Sequence, residues 1–161
     1  MSINEKQMAK AKEIVAYYTL AASATGAVPV PASSAAIVAQ NGVMLTHIAS
    51  ALGVEITVSD ILSSIGIAGS ANIVGKNLFI EGAKALSWGT GSVWAAAALS
   101  ALGATTAGVQ TYIIGCITIE IAKNEGKALT KNNAQILIEN SKSSYDSFIA
   151  EWSKKKINKP V

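Results

Sequence analysis

The chain has no arginine, one cysteine and one histidine, and little charge of either sign: 13 lysines face 10 acidic residues over 161 positions. Each shortage excludes something. Charged residues make up 14%, well below the roughly 25% of an average soluble domain, and a net charge of +3 is too small and too spread out for a nucleic-acid surface. Cys116 has no partner for an internal disulfide, which suits a reducing compartment. His47 alone cannot build a histidine-based metal site, and no cofactor is expected. The amino terminus lacks the charged region, short apolar core and small-residue cleavage site of a secretory leader, so export by that route is not expected.

The shortage of charge is also uneven. Residues 14–54 contain no Asp, Glu, Lys or Arg, and neither do residues 85–119. A helix lying on a protein surface in water normally shows a charged face, so these stretches must be covered by a core, by another subunit or by lipid. Their apolar side is mostly Ala, Ile, Leu and Val mixed with Ser, Thr and Gly, weaker than the Leu- and Phe-dense spans of ordinary membrane proteins.

Local signals divide the chain into helices. The first is capped by Ser2 and runs through Ile14, Val15, Tyr17, Tyr18 and Leu20 to about Thr25, where Gly26, Pro29 and Pro31 end it and form a rigid structural turn. Ser33 or Ser34 caps a second helix through Met44 and Ile48 to Leu52, with Gly53 as its stop, and the two form a helical hairpin. A third begins at Ser59 and Asp60 and extends, with glycine interruptions, towards Leu86; a Gly-rich joint at Gly89 and Gly91 precedes a run to Leu102. Another helix covers about 104–123, and Thr130 caps the last, ending near Lys155. In that last helix Leu137, Ser141, Tyr145, Phe148 and Trp152 recur at steps of three and four, an amphipathic pattern. Strand signals are sparse. The chain reads as an all-α single domain of helical hairpins, with a hydrophobic region over 1–126 and an amphipathic helix with a Lys-rich tail over 127–161.

Length argues against simple membrane spans. A crossing needs about 20 apolar residues; residues 32–52 are uncharged but interrupted by Gln40, Asn41, Thr46 and His47, and 104–119 is shorter. Within the latter, Ala104, Gly108, Thr111, Gly115 and Thr118 form a small-residue stripe, a helix-packing face that lets another helix approach closely. It suits dense packing inside a soluble bundle or a seam between membrane helices or subunits.

Chemical motifs are weak. Residues 69–76 approach a phosphate-binding loop but carry Ser70 where glycine is required and Asn77 where Ser or Thr would hold magnesium. Trp94 stands where a dinucleotide fingerprint after Gly89 and Gly91 needs glycine. Cys116 lies in an apolar setting that would raise its pKa, and Glu120 suits a helix-end ion pair with Lys123. Acid–base and metal groupings are missing, and catalysis is not expected.

The order Ala-Ala-Ser-Ala-Thr-Gly-Ala-Val-Pro-Val-Pro-Ala at 21–32, then an uncharged helix ending Met44-Leu45-Thr46-His47-Ile48-Ala49-Ser50-Ala51-Leu52-Gly53-Val54, then an acidic-capped helix and a late Gly/Ala-rich helix, resembles the YcjF-like, GTPase-associated bacterial domain of unknown function (number 697). The likeness spans roughly Ile14 to Gly126. It implies a membrane-associated helical module found with GTPases; this sequence holds no GTPase domain, so a GTPase partner would be a separate protein. The combined expectation is a non-enzymatic protein on the lipid bilayer at the cytoplasmic membrane, both Lys-rich termini cytoplasmic, self-assembling as a homo-oligomer through small-residue faces as a scaffold or pore. The alternative is a soluble, cytoplasmic helical module that binds a protein partner.

Overall fold

The computed structural model describes residues 2–25, 34–56, 107–127 and 129–160. Within them lie four helices and no strand: α1 (Glu5–Thr25), α2 (Ser34–Leu52), α3 (Ala107–Lys123) and α4 (Lys131–Trp152). The Pro29–Pro31 turn, Ala104 and the helices expected between Ser59 and Leu102 lie outside the described residues.

The ends of the helices follow from local chemistry. α1 is capped by Asn4 rather than Ser2. Asn4 Oδ1 accepts from the Gln7 amide at 2.8 Å while Gln7 Oε1 accepts from the Asn4 amide at 3.0 Å, so two otherwise orphaned donors are satisfied reciprocally. Ser2 sits too far upstream to reach them. α2 stops at Gly53, whose φ of 66° is open to glycine without strain, and the Val54 amide closes the turn on the Ala49 carbonyl at 3.1 Å. α3 ends through Asn124, Glu125 and Gly126; the last two have φ of 58° and 81°, and the Gly126 amide reaches the Ile121 carbonyl at 2.9 Å. A Cβ on Gly126 would lie 2.8 Å from the Glu55 carbonyl oxygen, so the exit of α3 rests directly on the exit of α2. Thr130 caps α4, accepting from the Asn133 amide at 3.3 Å, and the helix finishes at Trp152, three residues short of Lys155.

Helix direction follows from paired contacts. Gly115 faces Val15 and Gly108 faces Ser23, so α1 and α3 are antiparallel. The shared exit of α2 and α3 makes those two parallel. α1 packs on both α3 and α2, α2 packs on α3, and α4 lies mainly on α3 with lighter contact to α1. Between them Met44, Ile48, Leu52, Ile113, Ile114, Ile117, Ile121 and Ile138 are completely enclosed. Each such side chain contributes about 1.5–3 kcal/mol relative to an exposed position. This isoleucine-rich core is what turns the charge-free residues of α2 and α3 inward.

Candidate functional site

Three features of the described bundle have enough chemistry to bear on function: a close seam between α1 and α3, a charge-free end, and a groove against α4.

The seam uses four of the five residues in the small-residue stripe. Gly108, Thr111, Gly115 and Thr118 are all buried. A Cβ on Gly115 would fall 2.8 Å from both methyls of Val15, and one on Gly108 would collide with the Ser23 and Tyr145 hydroxyls. Thr118 turns its hydroxyl back to the Ile114 carbonyl at 2.7 Å. The face is therefore occupied by α1 of the same chain. Thr19, four residues from both Val15 and Ser23 and so on the same side of α1, is fully enclosed, and its hydroxyl has no hydrogen-bond partner among the described residues. At the top of the seam Ser23 and Tyr145 share a hydrogen bond at 2.8 Å.

The charged residues of the three core helices gather at one end. Glu5 to Glu13 on α1, Glu120 to Lys127 at the end of α3, and Glu55 after α2 lie together because α1 runs against the other two. The opposite end, where α1 finishes at Thr25 and α2 and α3 begin at Ser34 and Ala107, carries none among the described residues of these helices. The Lys-rich tail joins the charged end: the Asn158 amide donates to Glu13 Oε1 at 3.2 Å. α4 brings its charges alongside α3 only as far as Tyr112, whose hydroxyl pairs with Ser144 at 2.9 Å. Beyond that level α1 continues for about two turns, about 10 Å of helix at 1.5 Å per residue. His47 lies below this tip, its Nδ1 2.8 Å from the Tyr18 hydroxyl, and burial followed by the neighbouring Tyr17 raises the pKa of Tyr18. Among the described residues no helix is long and apolar enough to cross a membrane.

The groove lies where α1, α3 and α4 meet, with a volume of about 350 Å³. Tyr112, Phe148 and Trp152 form one wall as a row of rings, with centroids 4.5 and 6.0 Å apart. Cys116 is on the floor, partly buried. Burial pushes its thiol pKa up, Ser141 and Tyr112 hydrogen bonds pull the other way, and the charge of Glu120 adds to the rise. A thiol so placed is a poor nucleophile at neutral pH. Lys12, Glu120 and Glu151 stand at the rim. Glu120 is held by Lys123 at 2.9 Å and Glu151 by Lys155 at 2.7 Å. No group of three or more His, Cys, Asp or Glu side chains among the described residues is placed to hold a metal.

The sequence singled out Cys116 and Glu120 separately, and it read Trp152 and Phe148 only as the apolar side of the last helix. Nothing in their spacing brings Lys12 to them; that neighbourhood exists only once α1 and α4 share α3. Comparison with family models, with curated proteins and with solved structures returns no match to this chain.

Proposed function

We propose that this chain is a non-enzymatic, membrane-associated helical module whose charge-free end enters the apolar part of a lipid surface while its charged end stays in water. The observation that carries the reading is the segregation of charge along the bundle. A soluble bundle has no physical need to gather the charges of its described core helices at one end, whereas helix ends entering lipid must be free of them. α1 extends about 10 Å past the level of Tyr112, a stretch that α4 touches through the Tyr145 hydroxyl on Ser23, and this length matches the 5–10 Å depth of interfacial insertion, not the ~30 Å of a full crossing. The tail contact between Asn158 and Glu13 keeps both Lys-rich segments on one side, in line with a cytoplasmic location for the termini. α4, amphipathic in sequence, then forms a collar that marks the limit of insertion. The sequence resemblance to a GTPase-associated membrane domain makes a separate GTPase a partner to seek.

Flotation with liposomes in the absence of detergent is the direct test. The full chain rises with the vesicles, and Val43→Lys, at a half-exposed position of α2, weakens partition by about 1–2 kcal/mol, roughly five- to thirtyfold. Full recovery of folded protein in the lipid-free fraction at excess lipid refutes the reading in favour of a soluble interaction module.

A further inference from the structure

The groove beside α4 has properties that the membrane reading does not use. Its wall is aromatic and its floor apolar, with Leu137 and Ile119 completing the lining. It does not stop at Trp152: a second hollow of about 430 Å³ continues past Lys12, Glu151 and Trp152 towards Met8 and Ala9. The two share those three residues, which line both hollows. Glu151, which lines both hollows, and Glu120, which lines the first, already have lysine partners, and Lys155 also sits 4.3 Å over the Trp152 ring. Lys12 makes no ion pair among the described residues.

We propose that this groove binds a single-chain amphiphile with an anionic head, a long-chain carboxylate, its head on Lys12 and its chain along the Tyr112, Phe148 and Trp152 wall over Cys116. The chemistry selects for this occupant on both counts. Several apolar linings with few polar groups are the usual make-up of a small-molecule site, and 350 Å³ lies within the roughly 300–1,000 Å³ range of such sites. The ammonium of Lys12 attracts an anion, whereas the two carboxylates a cationic head could meet, Glu120 and Glu151, are already held by lysines. A neutral chain gains the wall and loses the head. Because Cys116 lies beneath the chain, occupancy also blocks access to its thiol.

Dodecanoate, kept below its critical micelle concentration and titrated calorimetrically into the full chain, is the probe. One molecule binds per chain, saturably; dodecanol and dodecyltrimethylammonium bind at least threefold more weakly. Lys12→Gln, a surface change that leaves the core untouched, weakens dodecanoate about three- to fivefold, the size of an exposed ion pair, and leaves dodecanol unaltered. Dodecanoate slows alkylation of Cys116 by N-ethylmaleimide in the wild type at the concentration that half-saturates the calorimetric signal. Equal affinity of wild type and Lys12→Gln for dodecanoate, unsaturable uptake of all three amphiphiles, or unchanged Cys116 alkylation at saturation overturns the proposal. These outcomes are independent of whether the protein floats with vesicles.

Discussion

Two sides of α3 are packed to opposite standards. Along Gly108, Thr111, Gly115 and Thr118 the helix meets α1 so closely that one methyl group has no place, while along Tyr112, Cys116 and Ile119 it faces about 350 Å³ of open groove. The positions alternate along the same helix, so propensity and composition do not separate them. What differs is the partner: α1 offers Val15 and Ser23 at backbone-close range, whereas α4 stands off on bulky rings. Small residues on a helix thus mark where something must come near, and aromatic ones mark where it is held away.

The contrast can be broken at adjacent residues. Gly115→Leu forces a side chain into the Val15 methyls and destabilises the fold by roughly 1–3 kcal/mol or more, read as a lowered urea midpoint; adding Val15→Ala recovers part of the loss, and additivity of the two changes would mean that the seam is not where the clash occurs. The opposite sign is expected from Thr19→Val in the same seam. It removes a buried hydroxyl without a partner and keeps the shape, so stability rises by about 1 kcal/mol, or some 2–4 °C in thermal midpoint for a domain of this size. A drop instead would reveal a hydrogen bond to that hydroxyl.

Alkaline pH probes the groove side. The folded pKa values of Cys116 and Tyr112 are both raised, chiefly by burial, so between the unfolded and folded values the native state holds more protons than the unfolded one. Stability is therefore unaffected below the unfolded thiol value and falls as pH rises past about 8.5 for the thiol and about 10 for the phenol. Urea midpoints measured from pH 7 to 10.5 should decline over that window, and Cys116→Ser should remove the earlier part of the decline. A cost smaller than that of Gly115→Leu belongs to Cys116→Leu. Growing into open space at a position one residue from Gly115, it should cost less than about 1.5 kcal/mol; a loss as large as that of Gly115→Leu would show the groove to be as closed as the seam.

How much of this was legible in sequence varies by kind of signal. Thr25, Gly53 and Thr130 were readable as helix limits because prolines, a left-handed glycine and a capping hydroxyl act within four residues of where they stand. Asn4 displaced Ser2 as the first cap by forming the reciprocal pair with Gln7 three residues later; Ser2 has the same spacing to Glu5, so spacing alone did not choose between them. The stripe on α3 announced a close contact but not its partner, since Val15 and Ser23 lie about a hundred residues away. The groove was invisible for the same reason: Lys12, Cys116 and Trp152 belong to three helices, and a cavity is defined by what fails to fill it. The gathering of charge at one end was half visible, as the charge-free runs themselves; that they end at the same level required α1 to run against α2 and α3.

That gathering is the centre of the functional reading, and depth in a bilayer tests it most directly. With Cys116→Ser removing the native thiol, an environment-sensitive fluorophore is attached through cysteine placed at Val43 or at Glu139, and the protein is bound to vesicles carrying nitroxide-labelled acyl chains. Quenching at position 43 several-fold stronger than at position 139 is the expected result, with the α2 label below the headgroups and the α4 label in water. Equal quenching at the two positions, or none at either with the protein bound, would contradict insertion by the charge-free end.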